Sequence, residues 1–205
     1  MYTPAHFKST DLAALDRLAA RDAFGTLISQ VDGAPFATQL PVLYRRTGSE
    51  VALTGHWARP NPQWREIEEQ RVLFIFHGPH SYVSPRWYAA PRKYVPTWNY
   101  ATAHVYGRIQ LVHDSPALEA IVAGLADKYE SRAPQPWRLA DAEPACRGML
   151  RGIVGFELHA QDIQITLKLS QNHPAENVIG VIEALEADGS EELAALMQEA
   201  LDRRG

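Results

Sequence analysis

The side chains best suited to chemistry lie in a segment that has no acidic residue. From Gln70 to His113, 44 of the 205 residues, there is no Asp or Glu. An even spread of the chain's 24 acidic residues would leave about five there. The same segment carries five cationic residues, four histidines and seven Trp or Tyr residues. Such a cationic, aromatic and acid-free segment is typical of a site that holds a flat ring bearing a phosphate.

Just before this segment, the sequence GHWARPNPQW (55–64) is a first candidate for phosphate contacts. His56, Arg59 and Asn61 follow a predicted strand and lead into a predicted short helix. A guanidinium and an exposed helix start both bind phosphate well. The alternative is a strand-end histidine, a packed Trp64 and a solvated arginine, and the sequence leaves both open.

Two more candidates lie inside the acid-free segment. Ser84 beside Arg86 suits an anion, and Trp87 could cover a ring; the alternative is a turn with an aromatic plug. In the other candidate of this segment, the third of the four, aromatic residues flank polar ones at the start of a predicted strand. The alternative is a hairpin corner. The residues of this candidate are Thr97, Trp98, Asn99 and Tyr100.

A fourth candidate, KLSQN (168–172), ends a predicted strand before a helix. Lys168, Gln171 and Asn172 offer several hydrogen-bond donors. Alternatively, Asn172 caps the helix that Pro174 opens.

Metal and nucleophile chemistry receive little support. His77 and His80 flank Gly-Pro without a neighbouring carboxylate, so we predict no zinc site. Cys146 has no charged activator pattern and is predicted to be an ordinary buried cysteine. No GxSxG motif occurs, and no residue is assigned a catalytic role.

The elements that must position these residues are mostly strands. Two β-prone runs around Asp32-Gly33 predict a hairpin. A helix capped by Ser9 or Thr10 is expected at the start, another from Ser115 to Glu130, and two at the end. Seven or so strands are predicted: 24–30, 36–44, 51–56, 72–76, 99–112, 152–158 and 163–169. We therefore predict a mainly β protein with helical additions (α+β), an antiparallel barrel in one domain, residues 1–205.

Composition excludes several other classes of protein. One cysteine cannot form an intrachain disulfide, and no run reaches the ~18 apolar residues of a membrane span. With no apolar signal core at the N-terminus, we expect a cytoplasmic protein. A net charge of −4 argues against a surface for long nucleic acids.

The motifs together resemble those of the PaiB family of FMN-binding negative transcriptional regulators. The resemblance runs in register from residue 1 to about 185. It rests on MYTPAHF (1–7), FGTL (24–27), PFAT (35–38), GHWARPNPQW (55–64), FHGPHSYVSPRWY (76–88), VPTWNY (95–100) and KLSQN (168–172).

The resemblance implies a dimeric split β-barrel like that of pyridoxamine-phosphate oxidase, with FMN at the interface of a homodimer. Arg59 and Lys168 are then expected as charge partners of the phosphate. The other expected cofactor contacts are His56, Asn61, Ser84, Thr97, Asn99, Gln171 and Asn172 as polar groups, and Tyr82, Trp87 and Trp98 around the ring.

The sequence leaves three candidate functions for this chain. The first is the family's transcriptional regulator, although eight acidic residues after Pro174 give direct DNA binding little support. The second is an FMN-dependent oxidoreductase acting on a small substrate, with a haem-binding protein of the same fold as a related option. The third is a structural protein without a cofactor, which the concentration of donors and aromatics disfavours.

Overall fold

A computed structural model describes residues 1–143, 146 and 148–204. The helices are α1 (Leu12–Arg21), α2 (Ser115–Glu130), α3 (Ala175–Ala187) and α4 (Glu191–Asp202). The strands are β1 (Lys8–Ser9), β2 (Phe24–Val31), β3 (Ala34–Pro41), β4 (Leu43–Thr47), β5 (Glu50–Ala58), β6 (Val72–Val83), β7 (Thr97–Val112) and β8 (Ile153–Lys168). Among the described residues, no helix is both long and apolar enough to cross a bilayer.

The strands form one sheet in the order β3-β2-β6-β7-β8-β5-β4, with β1 added to β8. Every pairing with a defined register is antiparallel. Among the described strands, this path of neighbours does not return to its start, so the sheet is open. The predicted mainly β fold with helical additions is confirmed.

The chain divides into two compact units, and β6, β7 and β8 each contribute residues to both. The first unit comprises residues 1–21, 77–103 and those from Gln164 onward; the second comprises 22–76 and 104–163.

The second unit contains the predicted hairpin. Asp32 and Gly33 both have positive φ, 52° and 74°, as a tight two-residue turn requires. The unit's core includes Trp57, Phe74 and Phe156, with Trp57 and Phe156 ring centroids 4.5 Å apart.

The first unit has its own hydrophobic core, in which α3 and α4 pack against strand and loop residues. Val181 and Leu185 of α3 and Met197 of α4 are fully buried in it, together with Val83. The two helices predicted at the end of the chain are confirmed as α3 and α4.

Several local predictions were wrong. Asp11, rather than Ser9 or Thr10, caps α1: its Oδ1 accepts the Ala13 N–H at 2.9 Å. The predicted strands 152–158 and 163–169 are one strand, β8. The predicted strand 72–76 is longer and continues through Gly78 to Val83 as β6; a Cβ at Gly78 would lie 2.6 Å from the Ala101 carbonyl oxygen of β7.

Other errors concern the number and length of elements. There are eight strands among the described residues: the run 36–44 divides into β3 and β4, β1 was not predicted, and the last two predicted strands are one. The predicted strand 51–56 extends from Glu50 to Ala58, and the short helix predicted after it is a 3-10 helix, Pro62–Glu66. Cys146 is exposed, not buried.

Candidate functional site

A cavity of about 410 Å³ in the first unit gathers several of the predicted residues. Thr97 and Asn99 reach it from β7, Lys168 from the end of β8, and Asn172 from the turn that follows. The described residues that line it include no Asp or Glu. We call it the Lys168 cavity.

The ammonium group of Lys168 is held in place by the start of β7. Its Nζ donates to Thr97 Oγ1 and, at 2.7 Å, to the Trp98 carbonyl oxygen. It also lies 5.8 Å from the ring centroid of Phe7. Burial lowers the pKa of Lys168 from its ordinary value. Because an ammonium has three N–H groups, one remains for an anion in the cavity.

Asn99 supplies a buried and unsatisfied acceptor. Its side chain is fully buried, and its Nδ2 donates to Ser170 Oγ at 2.8 Å. Its Oδ1 has no hydrogen-bond partner among the described residues. Leaving such an acceptor unpaired costs about 1–3 kcal/mol.

His173 forms an aromatic wall together with two tyrosines. It stacks on Tyr88 at 4.9 Å and an interplanar angle of 18°, and lies 5.1 Å from Tyr94. Burial, then the charges of Lys168 and Arg204, lower the pKa of His173 below its ordinary value of 6.5. The imidazole is therefore neutral at pH 7.

Arg204 fixes the backbone of the turn that carries these residues. Its Nη1 donates to the His173 carbonyl at 2.9 Å and its Nη2 to the Ser170 carbonyl at 3.0 Å. Ser170 has a φ of 63°, which costs energy in a residue with a side chain. The two bonds from Arg204 help to hold this turn, and with it Asn172, in place.

The remaining predicted residues of this unit have other surroundings. Trp98 and Tyr82 are 54% and 43% exposed and meet edge to face, with ring centroids 6.1 Å apart. Ser84 caps a 3-10 turn by accepting the Arg86 N–H, and Trp87 packs on the hydrophobic core. Gln171 accepts the Leu169 N–H within its own turn. Their contacts with a cofactor stay predictions.

The predicted residues His56, Arg59 and Asn61 belong to the second unit. Arg59 donates from Nε to the Arg151 carbonyl at 2.7 Å and from Nη2 to the Ile153 carbonyl at 2.8 Å. Asn61 caps the 3-10 turn 62–66 through its Oδ1 and donates to Thr38 Oγ1.

Two residues of the segment 55–64, Gln63 and Trp57, have a structural role. Gln63 is fully buried; its Oε1 accepts the Trp57 indole N–H at 3.0 Å, and its Nε2 donates to the Leu27 carbonyl at 3.1 Å. Half-buried His56 has a buried Nδ1 without a partner in the described part of the chain, and burial lowers its pKa. At least part of the motif is therefore structural, and the cofactor role of His56, Arg59 and Asn61 stays a prediction.

Sequence reasoning missed some residues of the Lys168 cavity. Phe7 and Lys93 are far from the KLSQN motif in sequence, and only the fold brings them to it. His173 directly follows the motif, and its position before the helix-opening Pro174 was the available signal. Asn172 does not cap α3, which begins without a side-chain cap.

The open antiparallel sheet with these helices is a split β-barrel fold. The chain is similar to the flavocytochrome Anf3 of Azotobacter vinelandii, with a TM-score of 0.57, 13% identity and coverage of 81% of this chain and 72% of that one. It is also similar to a FAD and heme binding protein of Mycobacterium smegmatis, with a TM-score of 0.57, 19% identity and coverage of 84% and 78%. At these identities the likeness establishes the fold alone.

The chain belongs to the family described as "Putative FMN-binding domain", whose model matches residues 1–162. It is 35% identical over 209 residues to the "Protease synthase and sporulation protein PAI 2" of Bacillus subtilis, covering 100% of both chains. The predicted PaiB-type membership is confirmed, and FMN is the cofactor of this family.

The donor set of the Lys168 cavity fits FMN. Lys168 and Lys93 offer positive charge for a phosphate dianion. The unpaired Oδ1 of Asn99 suits a hydroxyl of the ribityl chain. Exposed Trp98, whose carbonyl anchors Lys168, offers an aromatic face for the flavin ring.

Proposed function

We propose that this chain is an FMN-binding regulatory protein of the PaiB type that holds the FMN phosphate in the Lys168 cavity. The observation that carries the proposal is the pairing of an anchored Lys168 ammonium, with one N–H to spare, and a buried, unpaired Asn99 acceptor in an acid-free cavity. Bound FMN would supply one- and two-electron transfer. The protein's own residues hold and orient it.

Each polar residue of the cavity has a distinct task in this proposal. Lys168 pairs with the phosphate, while Thr97 fixes the lysine and Asn172 adds a donor from the turn. Asn99 accepts from the ribityl chain. Tyr82 and Trp98 lie along the flavin ring, and the remaining proposed contacts are His56, Arg59, Asn61, Ser84, Trp87 and Gln171.

A homodimer with FMN at its interface completes the proposal. Val95, Trp98 and Tyr82 are 77%, 54% and 43% exposed, and exposed apolar side chains of this kind mark protein–protein contacts. A cytoplasmic location agrees with a single, exposed cysteine.

The absorption spectrum of the purified protein tests cofactor binding. We expect flavin bands near one FMN per chain after FMN is added and the protein is desalted. A protein that retains no flavin contradicts the proposal, and a Soret band would indicate haem instead.

Sedimentation of the wild type and of Trp98→Glu tests the dimer. The Trp98→Glu variant should shift to monomer, whereas Trp137→Glu, at another exposed tryptophan (47%), should not.

Oxidoreductase activity is the second candidate, and the charge of the last two helices favours it. Eight acidic residues on or next to α3 and α4 are all exposed: Glu176, Glu183, Glu186, Asp188, Glu191, Glu192, Glu199 and Asp202. Such a surface repels DNA. Regulation would then pass through a protein partner, or the flavin would turn over a small substrate.

Ionic strength separates these two functions. Binding to DNA through phosphate contacts weakens steeply with salt, whereas turnover of a small substrate changes little. If the logarithm of the DNA-binding constant falls linearly with the logarithm of the salt concentration, direct regulation is supported. Absent DNA binding together with salt-insensitive flavin turnover supports the oxidoreductase.

A further inference from the structure

A second cavity, of about 210 Å³, lies in the first unit and shares no lining residue with the Lys168 cavity. Its walls are apolar: Ala14 and Leu18 come from α1, Ala101 and Leu167 from the sheet, and Leu196 from α4. Small side chains at Ala14 and Ala101 leave space that larger ones would fill. For scale, an apolar cavity of about 150 Å³ holds benzene.

The mouth of this cavity is charged. Arg17, Arg21 and Glu192 line it, and Arg21 Nε lies 2.6 Å from Glu192 Oε2. Arg17 is exposed and has no hydrogen bond or ion pair within the described part of the chain. Two guanidinium groups against one carboxylate leave one positive charge at the opening of an apolar space.

We propose that this cavity binds a small amphipathic monocarboxylate, with a single aromatic ring or a short branched chain as its apolar body. The body fills the space between α1 and α4. The carboxylate pairs with Arg17, which balances the charge at the mouth, while the Arg21–Glu192 ion pair flanks it. A neutral ligand of the same shape would gain the apolar contacts without the ion pair.

Calorimetric titration tests this with phenylacetate and its neutral analogue phenylacetamide as probes. We expect saturable binding of one phenylacetate per chain, and about tenfold or more weaker binding of phenylacetamide, in line with a lost charge-assisted hydrogen bond. Arg17→Gln should weaken phenylacetate to the level of the amide. Arg203→Gln, at an exposed arginine outside the cavity, should not.

Filling the cavity from its rim is the second test. Ala195 lines the cavity yet is exposed, so Ala195→Phe should fold and abolish binding, whereas Ala187→Phe on α3 should bind as the wild type does. Equal affinity for acid and amide, or unchanged binding to Ala195→Phe, overturns the proposal. The proposal is also overturned if the wild type binds neither probe. A change of oligomeric state in Ala195→Phe would then show that the cavity is a contact between subunits.

Discussion

The Lys168 side chain donates a hydrogen bond to the Trp98 carbonyl at 2.7 Å, although 70 positions separate the two residues. This bond joins the end of β8 to the start of β7 and ties two of the sequence motifs into one site. It fixes the ammonium beside a buried Asn99 in a cavity without acids. The bond therefore holds the ammonium group on which the proposed phosphate contact depends.

Replacing Lys168 with methionine should weaken FMN binding by about tenfold to a hundredfold, the equivalent of one charge-assisted hydrogen bond. Methionine retains much of the apolar stem while removing the charge. Flavin fluorescence titration measures the dissociation constant. The matched control is Lys8→Met, at an exposed lysine of β1 that does not line the cavity. Equal affinities of the two variants would remove Lys168 from the site.

Replacing Asn99 with aspartate should weaken FMN binding more than Asn99→Leu does at low salt. Both variants lose the bond from Nδ2 to Ser170, but only the aspartate adds a negative charge that repels the phosphate. Because salt screens a buried charge much less than an exposed one, the gap between the variants should persist as salt rises. Flavin titrations of both variants measure it, and equal dissociation constants would contradict the assignment.

His173 should make the protein less stable in mild acid. Its folded pKa lies below the unfolded value of 6.5, so the unfolded state binds more protons between these two values. The free energy of unfolding therefore falls as pH drops from 6.5 towards the folded pKa and is insensitive to this group above 6.5. The His173→Gln variant lacks this pH-dependent loss. In thermal melts, the Tm of the variant relative to that of the wild type should therefore be higher at about pH 5.5 than at about pH 7.5. A Tm difference that is constant with pH would show that His173 titrates normally.

Replacing Gly107 with alanine should destabilise the second unit by about 1–3 kcal/mol, the usual cost of overpacking. A Cβ at this position would meet the backbone carbonyl of His159 on β8. Urea unfolding measures the change in free energy. Gly152→Ala is the control, since nothing lies within 4 Å of a Cβ there; equal stabilities would contradict the close approach.

Much of the fold follows from local patterns in the sequence. The Asp32-Gly33 hairpin, the helix from Ser115 to Glu130 and the two final helices were all predicted. Long strands were harder, because β8 runs unbroken through positions where its apolar pattern changes, and the sequence suggested two strands. By contrast, β7 also contributes to both units, but its buried positions alternate regularly, and it was predicted as one strand.

The candidate site was only partly predictable for a similar reason. The side-chain types of Thr97, Asn99 and Lys168 indicated hydrogen bonds and charge for a cofactor, and the motifs that contain them indicated a cofactor site. Their meeting depends on the contact between β7 and the end of β8, which no local pattern encodes. Lys93 and His173 became candidates only when the fold showed them beside Lys168.

A crystal structure of the protein with bound FMN tests the central claim most directly. We predict an FMN phosphate oxygen within hydrogen-bonding distance of Lys168 Nζ and a ribityl hydroxyl donating to Asn99 Oδ1. Density for FMN whose phosphate contacts Arg59 while the Lys168 cavity holds only water would contradict this account.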